Sequence, residues 1–525
     1  MKSSSTDALT HFSATTLAAM IARGEVSCLE TVEAHIARIE QVNSVLNAVV
    51  VRRYAEARME AKAADERLAR GETPGPLHGV PVTVKESLDL QGTPSTFGLP
   101  SRANMLASHD DPYVARFRAA GAIILGKTNV SQLLLYIESD NPVYGRTNNP
   151  WNLDRSCGGS SGGQAAIIAA GGSSLGLGTD IGGSLRYPST FCGIAGLKPT
   201  SGRTPDQGRY SIPIGQRAIV SQVGVLARRV EDIALGLNII SGDHSSTTEV
   251  PIPLGDPHSV DVSRLKIGYY VEDGTFRVAP TVRRAVLEAA EIMRGYGAQV
   301  TEWEPPDVDH AQDIFFRVLS ADGARGIKHL LGRDKRDPRI ANLELLARRS
   351  RLTLRALDGL LRVAGQAGLA IALHNFGYRD THHYWQLVEA QMEYRERFQK
   401  ALDQADGGPF DALLCPACFL PALTHGSARE LITAGASATL YNVLGYPTGV
   451  VPLTRVRKGE DLGRAKSRDI VEATARKVEI GSENLPVGVQ VAARPWCEHT
   501  VLAVMSAIEQ IASRREDYPD VAPLT

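Results

Sequence analysis

The N-terminal part of the chain carries apolar residues at helical spacing. Thr16–Arg23 has such a stripe, and Ser27 and Glu30 then form a capping-box pattern, which predicts a helix running to about Val42. A further run of strong helix formers covers 57–71. The pattern therefore predicts three successive helices at the start of the chain.

Further along, helical and strand-like patterns alternate. Val80–Val84 is a short β-branched run that leads directly into Lys85. The segment GAIILGKTN, residues 121–129, is a continuous apolar strand, and a helical pattern over Pro112–Ala120 precedes it. Continuous apolar strands are typical of sheets that are buried on both faces. We therefore predict an α/β fold in which helices cover both faces of a mixed or parallel sheet.

Two regions depart from this alternation. From Gly158 to Gly183 the chain is mainly glycine, alanine and serine, and its centre, residues 164–170, predicts a small-residue helix at the centre of the fold. Residues 333–375 combine helical apolar spacing with many arginines, which predicts a helical insertion over 330–395. The apolar stripe consists of Leu343, Leu346, Leu354, Leu357, Leu360, Leu361 and Ala364, and the arginines around it are Arg348, Arg349, Arg351, Arg355 and Arg362.

Composition adds few constraints beyond those of a globular protein. The chain has 525 residues, 43% of them hydrophobic, and a formal net charge of −1, which gives no field that would steer it towards nucleic acid. Its six cysteines are too sparse for a disulfide scaffold, the N-terminus has no apolar signal region, and no run of 18 apolar residues occurs. These features predict a cytoplasmic protein without a membrane span.

Two glycine–serine clusters and one lysine carry the candidate chemistry: GGSSGG at 158–163, DIGGS at 180–184 and VTVKE at 82–86. A phosphate-binding loop is one interpretation, but neither cluster is followed by Gly-Lys-Ser/Thr, and the glycine spacing does not fit a dinucleotide-binding motif. A second interpretation is that the glycines only permit close packing of the backbone. It requires that both glycine–serine clusters and the lysine after an apolar strand occur together by coincidence. The third is nucleophilic catalysis, because a Gly-Gly-Ser turn exposes backbone N–H groups beside a hydroxyl.

In the third interpretation, Ser184 is the nucleophile that attacks a carbonyl carbon. The oxyanion hole is then formed by the backbone N–H groups of Ile181, Gly182, Gly183 and Ser184. A serine hydroxyl needs a base, and no G-x-S-x-G elbow with histidine and aspartate partners is present. Lys85 fits this role, because burial after an apolar strand favours the neutral amine.

These segments resemble the amidase signature family. The stretch GGSSGGQAAIIAAGGSSLGLGTDIGGSLRYPSTFCGIAGLKPTSGR, residues 158–203, is similar to the family's signature region, and the likeness continues in GVPVTVKESL, GAIILGKTN and NPVYGRTNNPWN. The C-terminal stretches ATLYNVLGYPTGVVPLT and LPVGVQVAARPW, together with Glu86, most resemble the fatty acid amide hydrolase branch. The resemblance implies one amidase signature domain over 1–525, with a twisted mixed sheet between helical layers (α/β/α) and a helical cap. Within it we expect N-terminal helices at 10–70, a catalytic core at 75–325, the cap insertion at 330–395 and the C-terminal return of the core at 400–515.

The resemblance also implies roles for individual residues. It assigns a Ser-Ser-Lys triad in which Ser184 is the nucleophile, Ser160 relays the proton after a cis peptide bond, and Lys85 is the base. Three further residues are expected to support the loops by hydrogen bonding: Ser161, Asp180 and Arg186. Three are expected in the walls of the substrate pocket: Leu134, Tyr144 and Tyr441.

The implied activity is amide hydrolysis through an acyl-enzyme, on small or lipophilic carboxamides such as fatty acid amides. Two alternatives stay open: an aryl-acylamidase or carbamate hydrolase with the same triad, and an amidotransferase subunit of a multi-chain complex. We expect no cofactor and no metal, because Cys415 and Cys418 form a lone C-x-x-C and the adjacent His382 and His383 diverge on a helix. The expected partner is a small-molecule amide substrate and not nucleic acid, and dimers in this branch leave a homodimer open.

The basic amphipathic stretch 343–364 leaves two interpretations open. It is either an ordinary helix on the core with its arginines in solvent, or a surface that rests on anionic membrane and admits lipid-like substrate. The stretch has no Trp or Phe anchors, which weakens the second interpretation. Under that second interpretation the protein is cytoplasmic and associated with the membrane surface.

Overall fold

The computed structural model describes residues 8–524 except 206–214, 242–251, 348, 350 and 375, so Arg348 of the predicted arginine cluster lies outside the described residues. The helices are α1 (Ala14–Ala22), α2 (Cys28–Leu46), α3 (Tyr54–Ala69), α4 (Pro112–Ala119), α5 (Gly162–Ala169), α6 (Arg186–Cys192), α7 (Val230–Ile240), α8 (Pro280–Gly295), α9 (Val308–Ser320), α10 (Arg325–Leu331), α11 (Pro338–Ala347), α12 (Arg351–Val363), α13 (Ala367–His374), α14 (Thr381–Gln404), α15 (Ala436–Leu444), α16 (Ile470–Glu479) and α17 (Glu498–Ala512). The strands are β1 (Val49–Arg52), β2 (Pro81–Lys85), β3 (Ile123–Thr128), β4 (Asp140–Asn141), β5 (Gly145–Arg146), β6 (Asn148–Asn149), β7 (Asn152–Ser156), β8 (Leu175–Asp180), β9 (Ala195–Lys198), β10 (Gln222–Ala227), β11 (Lys266–Tyr269), β12 (Gln299–Glu302), β13 (Ala412–Pro416), β14 (Thr448–Arg455) and β15 (Pro486–Ala493).

One large mixed sheet organises the chain. Its 11 strands lie in the order β1-β3-β2-β8-β10-β9-β14-β15-β13-β11-β12. Strand β2 pairs in parallel with β3 and β8, and β11 pairs in parallel with β12 and β13, whereas the other neighbouring pairs are antiparallel. The mixed sheet predicted from the sequence is confirmed. Because parallel neighbours end at the same edge, β2 and β8 bring Lys85 and Asp180 to one edge of the sheet.

Helices pack against both faces of this sheet. In β3, Ile124 belongs to one hydrophobic cluster, together with Val82 and Val84 of β2. Its neighbours Ile123 and Leu125 belong to a second cluster, which α2, α3 and α5 complete. Successive side chains of a strand point to opposite faces, so the two clusters lie on opposite sides of the sheet. The predicted α/β architecture is therefore confirmed.

Local signals near the N-terminus are also confirmed. The Ser27 Oγ accepts a hydrogen bond from the backbone N–H of Glu30 at 3.1 Å, and the Ser27 N–H donates to the Glu30 carboxylate at 2.9 Å. This capping box satisfies two amides that the first turn of α2 leaves without helical partners. The helix continues past the predicted Val42 to Leu46 and ends at Asn47, whose φ is 52°.

The helix α5 lies at the centre of the fold, as its small residues predicted. Every residue of α5 is buried. The helices between β12 and β13 run from Val308 to Gln404. The segment boundaries expected from the family resemblance stay predictions.

The stretch 343–364 is not one continuous helix, because α11 ends at Ala347 and α12 begins at Arg351. Within the predicted apolar stripe, Leu354 is only 3% exposed, whereas Leu360 is 67% exposed. The end of α12 therefore presents apolar side chains to the surface. Among the described residues, no helix combines the length and the apolar content that a membrane span requires.

Candidate active site

A buried lysine lies at the end of β2. Lys85 is fully buried, and its Nζ donates hydrogen bonds to Ser160 Oγ and Thr179 Oγ1, each at 2.8 Å. Thr179 belongs to β8, the parallel neighbour of β2, so adjacent strand ends place the amine and the threonine together. The structure thus brings Lys85 and Ser160 into direct contact, and Thr179 adds a partner that the sequence did not indicate.

Ser160 follows a cis peptide bond from Gly159, as the family resemblance implied. A side chain at residue 159 would collide with the backbone, because an added Cβ would lie 2.7 Å from the amide nitrogen of Glu138 and the carbonyl oxygen of Tyr136. The neighbouring Ser139 Oγ accepts a hydrogen bond from the N–H of Gly162 at 2.9 Å. The segment from Tyr136 to Ser139 therefore packs directly on the turn that carries Ser160.

Ser184 ends a turn that begins at Asp180. It lies with Ser160 in the wall of one cavity, and the backbone N–H of Ser161 donates to the Ser184 carbonyl oxygen at 3.3 Å. Gly183 has a φ of 102°, a conformation that glycine adopts readily. The side chain of Phe315 packs over Gly182, where an added Cβ would lie 2.7 Å from the ring. The sequence-predicted turn thus faces the cavity beneath an aromatic side chain.

The carboxylate of Asp180 holds this turn. It accepts hydrogen bonds from the backbone N–H groups of Gly183 at 2.8 Å and Leu185 at 3.1 Å. Arg186 binds the same carboxylate with two nitrogen atoms, each at 3.0 Å, and both side chains are fully buried. The expected supporting positions of Asp180 and Arg186 therefore share one ion pair. Since the Gly183 amide already donates to Asp180, the amides of Ile181 and Ser184, with that of Gly182, are the better candidates for binding an oxyanion.

Two amide side chains complete the ion pair. Asn442 Nδ2 donates to Asp180 at 3.0 Å, and Asn442 Oδ1 accepts from Arg186 at 2.6 Å. Gln490 Oε1 accepts from Arg186 at 3.0 Å. Burial by itself would raise the pKa of Asp180, but Arg186 and Asn442 more than offset it, so the pKa lies well below its usual range. The turn is therefore tied to a carboxylate that stays ionised.

A second pair of buried charged side chains lies nearby: Glu86 directly follows β2, and Lys127 belongs to β3. Burial raises the pKa of Glu86, whose carboxylate accepts the N–H groups of Thr96 and Phe97. Burial lowers the pKa of Lys127 to about 8, and its Nζ donates to the carbonyl oxygen of Pro94 and to Ser95 Oγ. Both side chains thus anchor the loop that follows β2.

An apolar cavity extends from the two serines. No charged side chain occurs among the described residues that line it, which are Leu133, Leu134, Leu135, Tyr136, Ile137, Ser160, Thr179, Ile181, Gly182, Ser184, Tyr187, Ser221, Phe315, Phe316, Leu319, Ser320, Ala324, Ile327, Leu343, Ala347, Phe376, Ile432 and Thr439. Such a cavity fits an uncharged, largely apolar ligand.

Two of the three expected wall residues are not part of this wall. Leu134 lines the cavity, whereas Tyr144 places its hydroxyl 3.5 Å from the Glu86 carboxylate. Tyr441 is fully buried and bonds to the hydroxyl of Tyr270 at 3.1 Å. Neither tyrosine is among the described residues that line this cavity, and the substrate contacts expected of them stay predictions. In α15, Thr439 lines the cavity. Tyr441 does not, because side chains two residues apart on a helix point in directions about 200° apart.

Thr179, Asn442 and Gln490 are the site residues that sequence reasoning missed. Asn442 and Gln490 are polar residues inside the apolar runs ATLYNVLGY and VGVQVA. A polar side chain within a buried apolar run requires a hydrogen-bonding partner. The position of these two residues in apolar runs could therefore have identified them from the sequence. Across the part of the chain that the structure describes, no group of three or more His, Cys, Asp or Glu side chains could hold a metal ion.

Replacing Asn442 with alanine is expected to lower kcat of the reaction that the family resemblance implies by about 10- to 100-fold, because the Asp180–Arg186 pair would lose a shared partner and the turn its fixed position. Ser437→Ala is the matched control, since this buried serine lies on the same helix and donates to the Pro416 carbonyl oxygen. Steady-state kinetics of both variants test the prediction. Equal effects of the two substitutions would show that Asn442 has no special relation to the turn.

Comparison with known proteins gives consistent matches along nearly the whole chain. The model for the Amidase family matches residues 30–502. Fatty acid amide hydrolase 1 of Caenorhabditis elegans is 31% identical over 506 residues, which cover 93% of this chain and 86% of that protein. One of the glutamyl-tRNA(Gln) amidotransferase subunits of Roseiflexus castenholzii is 31% identical over 512 residues, 96% of either chain. A solved structure of a fatty acid amide hydrolase has a TM-score of 0.83 at 26% identity and covers 96% of this chain and 86% of its own.

Proposed function

Because the chain belongs to the amidase signature family and is an amide hydrolase, we propose that Ser184, Ser160 and Lys85 form its catalytic triad and that its substrates are lipophilic carboxamides. The observation that carries this proposal is the 2.8 Å contact of Lys85 Nζ with Ser160 Oγ, in a cavity that Ser184 also lines. A buried amine next to a hydroxyl is the arrangement that a lysine base requires.

The reaction begins with a proton relay. Neutral Lys85 accepts the proton of Ser160, and Ser160 accepts the proton of Ser184 as the Ser184 oxygen attacks the amide carbon. Negative charge that develops on the carbonyl oxygen is bound by the backbone N–H groups of Ile181, Gly182 and Ser184. The relay then runs in reverse and protonates the leaving nitrogen, which departs as a neutral amine or ammonia. Water, deprotonated by the same relay, hydrolyses the acyl-enzyme and restores Ser184.

The cavity supports this substrate class. Its described lining is aliphatic and aromatic apart from a few hydroxyl groups, and it offers no charge to pair with a charged acyl group. A long apolar acyl chain would bury well there, with its carbonyl at Ser184. The names of the relatives agree with this substrate class, since several are fatty acid amide hydrolases.

One experiment distinguishes the proposed function from the two alternatives, an aryl-acylamidase or carbamate hydrolase and an amidotransferase subunit. Purified protein without partner chains is given oleamide, a short aliphatic amide, an anilide and a carbamate, and release of amine or acid is measured. We expect oleamide to have the highest kcat/KM. Preference for the anilide or carbamate would favour an aryl-acylamidase or carbamate hydrolase instead. Activity that requires added partner proteins would favour an amidotransferase and contradict our proposal.

We propose further that the end of α12 rests on anionic membrane. Leu360 is 67% and Val363 is 90% exposed, and Ile371 of α13 is 38% exposed. Arg355 and Arg362 lie on the same helix as the first two. Exposed apolar side chains beside basic ones are typical of helices that lie in a membrane interface.

Replacing Leu360 and Val363 together with serine is expected to reduce co-sedimentation with anionic phospholipid vesicles severalfold, because apolar area that enters the lipid is lost. Met59→Ser, which removes a similarly exposed apolar side chain from α3, is the control. Binding is expected to weaken in high salt. Equal binding of wild type and the double variant would argue against a membrane contact at α12.

A further inference from the structure

The segment 131–140 has two parts with different surroundings. Its first part, 133–137, lines the cavity, and we call these residues the wall loop. Its second part contacts the turn that carries Ser160, since Ser139 Oγ bonds to the N–H of Gly162 and the carbonyl oxygen of Gly158. One short segment therefore forms part of the substrate wall and also contacts the turn of the relay serine.

The wall loop has an unfavourable backbone. Leu133 and Leu134 have φ values of 53° and 60°, the left-handed conformation that residues with a Cβ rarely adopt. Two such residues in succession persist only where surrounding contacts hold them. The N–H of Leu133 donates to the Phe97 carbonyl oxygen at 2.8 Å, which is one such contact.

Further contacts come from the residues that lead into α11. Gln132 accepts the N–H of Asp337 at 2.8 Å and donates to the Lys335 carbonyl oxygen at 2.9 Å. The Tyr136 hydroxyl donates to the carbonyl oxygen of Arg339 at 2.7 Å. These bonds connect the residue before the wall loop, and Tyr136 within it, to the first turn of α11 and the residues just before it.

The side chain of Arg339 lies at the centre of this junction. Its guanidinium forms ion pairs with Asp337 at 2.5 Å, Glu138 at 3.1 Å and Asp140 at 3.2 Å, and the side chain is only 11% exposed. Three carboxylates around one buried cation fix its position closely. Helix α11 continues from this point and contributes Leu343 and Ala347 to the cavity wall.

We propose that Arg339 is a positioning residue that holds the wall loop and α11 at a fixed separation, and that it thereby determines the preference for long over short acyl chains. The inference rests on the proposed hydrolysis of lipophilic amides. A long acyl chain contacts both the wall loop and α11, whereas a short one does not reach both. A change in the distance between the wall loop and α11 therefore weakens the binding of long substrates and leaves that of short substrates unchanged. The Glu138 carboxylate also accepts the N–H groups of Gly426 and Ala428, each at 2.8 Å, so the segment that packs on the Ser160 turn keeps these anchors when the guanidinium is removed.

The test compares oleamide with propionamide in Arg339→Gln. The ratio of their kcat/KM values is expected to fall by about tenfold or more, mainly through a higher KM for oleamide. The kcat for propionamide is expected to change by less than about threefold. Arg339→Lys, which keeps the charge, is expected to recover part of the ratio. Arg70→Gln breaks an exposed ion pair with Glu72 at the end of α3, away from the cavity wall, and is the matched control, with an unchanged ratio.

An unchanged ratio in folded Arg339→Gln, or an equal loss for both substrates, would overturn the proposal. If that variant does not accumulate as folded protein, Asp140→Asn decides, because it weakens an ion pair of the Arg339 guanidinium at a partly exposed carboxylate that does not line the cavity. It is expected to lower the ratio by about threefold, and no change would overturn the proposal. Wild-type protein that hydrolyses both amides without preference would also overturn it, whereas wild-type protein that hydrolyses neither would contradict the proposed function itself.

Discussion

Replacing Ser184 with alanine is expected to lower kcat for oleamide hydrolysis by about 10⁴-fold or more, because the variant lacks the hydroxyl oxygen that forms the acyl-enzyme. What activity remains would come from substrate binding and from the backbone amides of Ile181, Gly182 and residue 184. The measurements are steady-state hydrolysis and covalent labelling by a fluorophosphonate, which reacts with activated serines. Labelling is expected in the wild type and not in the variant.

Ser221→Ala is the matched control for this experiment, since Ser221 lines the same cavity. Its kcat is expected to stay within about threefold of the wild type, and labelling is expected to persist. Should Ser184→Ala turn over oleamide at a rate near that of Ser221→Ala, the nucleophile would have to be another residue.

Replacing Lys85 with alanine is expected to lower kcat/KM by about 10³-fold and to remove the acid limb of its pH profile, because that limb reports deprotonation of the base in the free enzyme. In the wild type, activity is expected to fall as pH decreases, since the protonated amine cannot accept the proton of Ser160. A Lys85→Ala, Ser184→Ala double variant is expected to be no slower than Ser184→Ala, because residues of one relay act as a unit.

Two other buried lysines provide the controls. Burial lowers the pKa of Lys127 to about 8 and that of Lys198 to about 7, so either could produce an acid limb. Lys127→Met and Lys198→Met are each expected to keep the limb and to reduce thermal stability, since these amines bond to the carbonyl oxygens of Pro94 and Pro199 and thereby hold loops. Loss of the limb in either methionine variant, with its retention in Lys85→Ala, would refute the assignment of the base.

Features that depend on neighbouring residues could be predicted from the sequence. The Ser27–Glu30 capping box, the buried strand that ends at Lys85 and the glycine turn before Ser184 each depend on a few consecutive residues. Their chemistry follows from local rules of capping, burial and backbone freedom. The fold class followed as well, because helices and strands alternate in the sequence.

Contacts between distant segments could not be predicted in this way. Asn442 is 262 residues from Asp180, and Gln490 is 304 residues from Arg186, so no local pattern relates them. That Thr439, and not Tyr441, lines the cavity has a related cause: the sequence assigns α15 to the site but does not fix which face of the helix points inward. Thr439 and Tyr441 lie on different faces of this helix.

The residues proposed for bond cleavage and many of those that line the acyl cavity lie in different parts of the chain. The groups proposed for bond cleavage lie between Lys85 and Arg186, on β2, on the turn before α5 and on the turn after β8. Phe315, Leu343 and much of the apolar wall come after Val308. Acyl preference could therefore be re-engineered by exchanging the α9–α14 segment for that of another amidase, provided that a guanidinium is kept at position 339. Natural sequences could have diversified by the same route, with new substrates acquired while the hydrolytic machinery stayed unaltered.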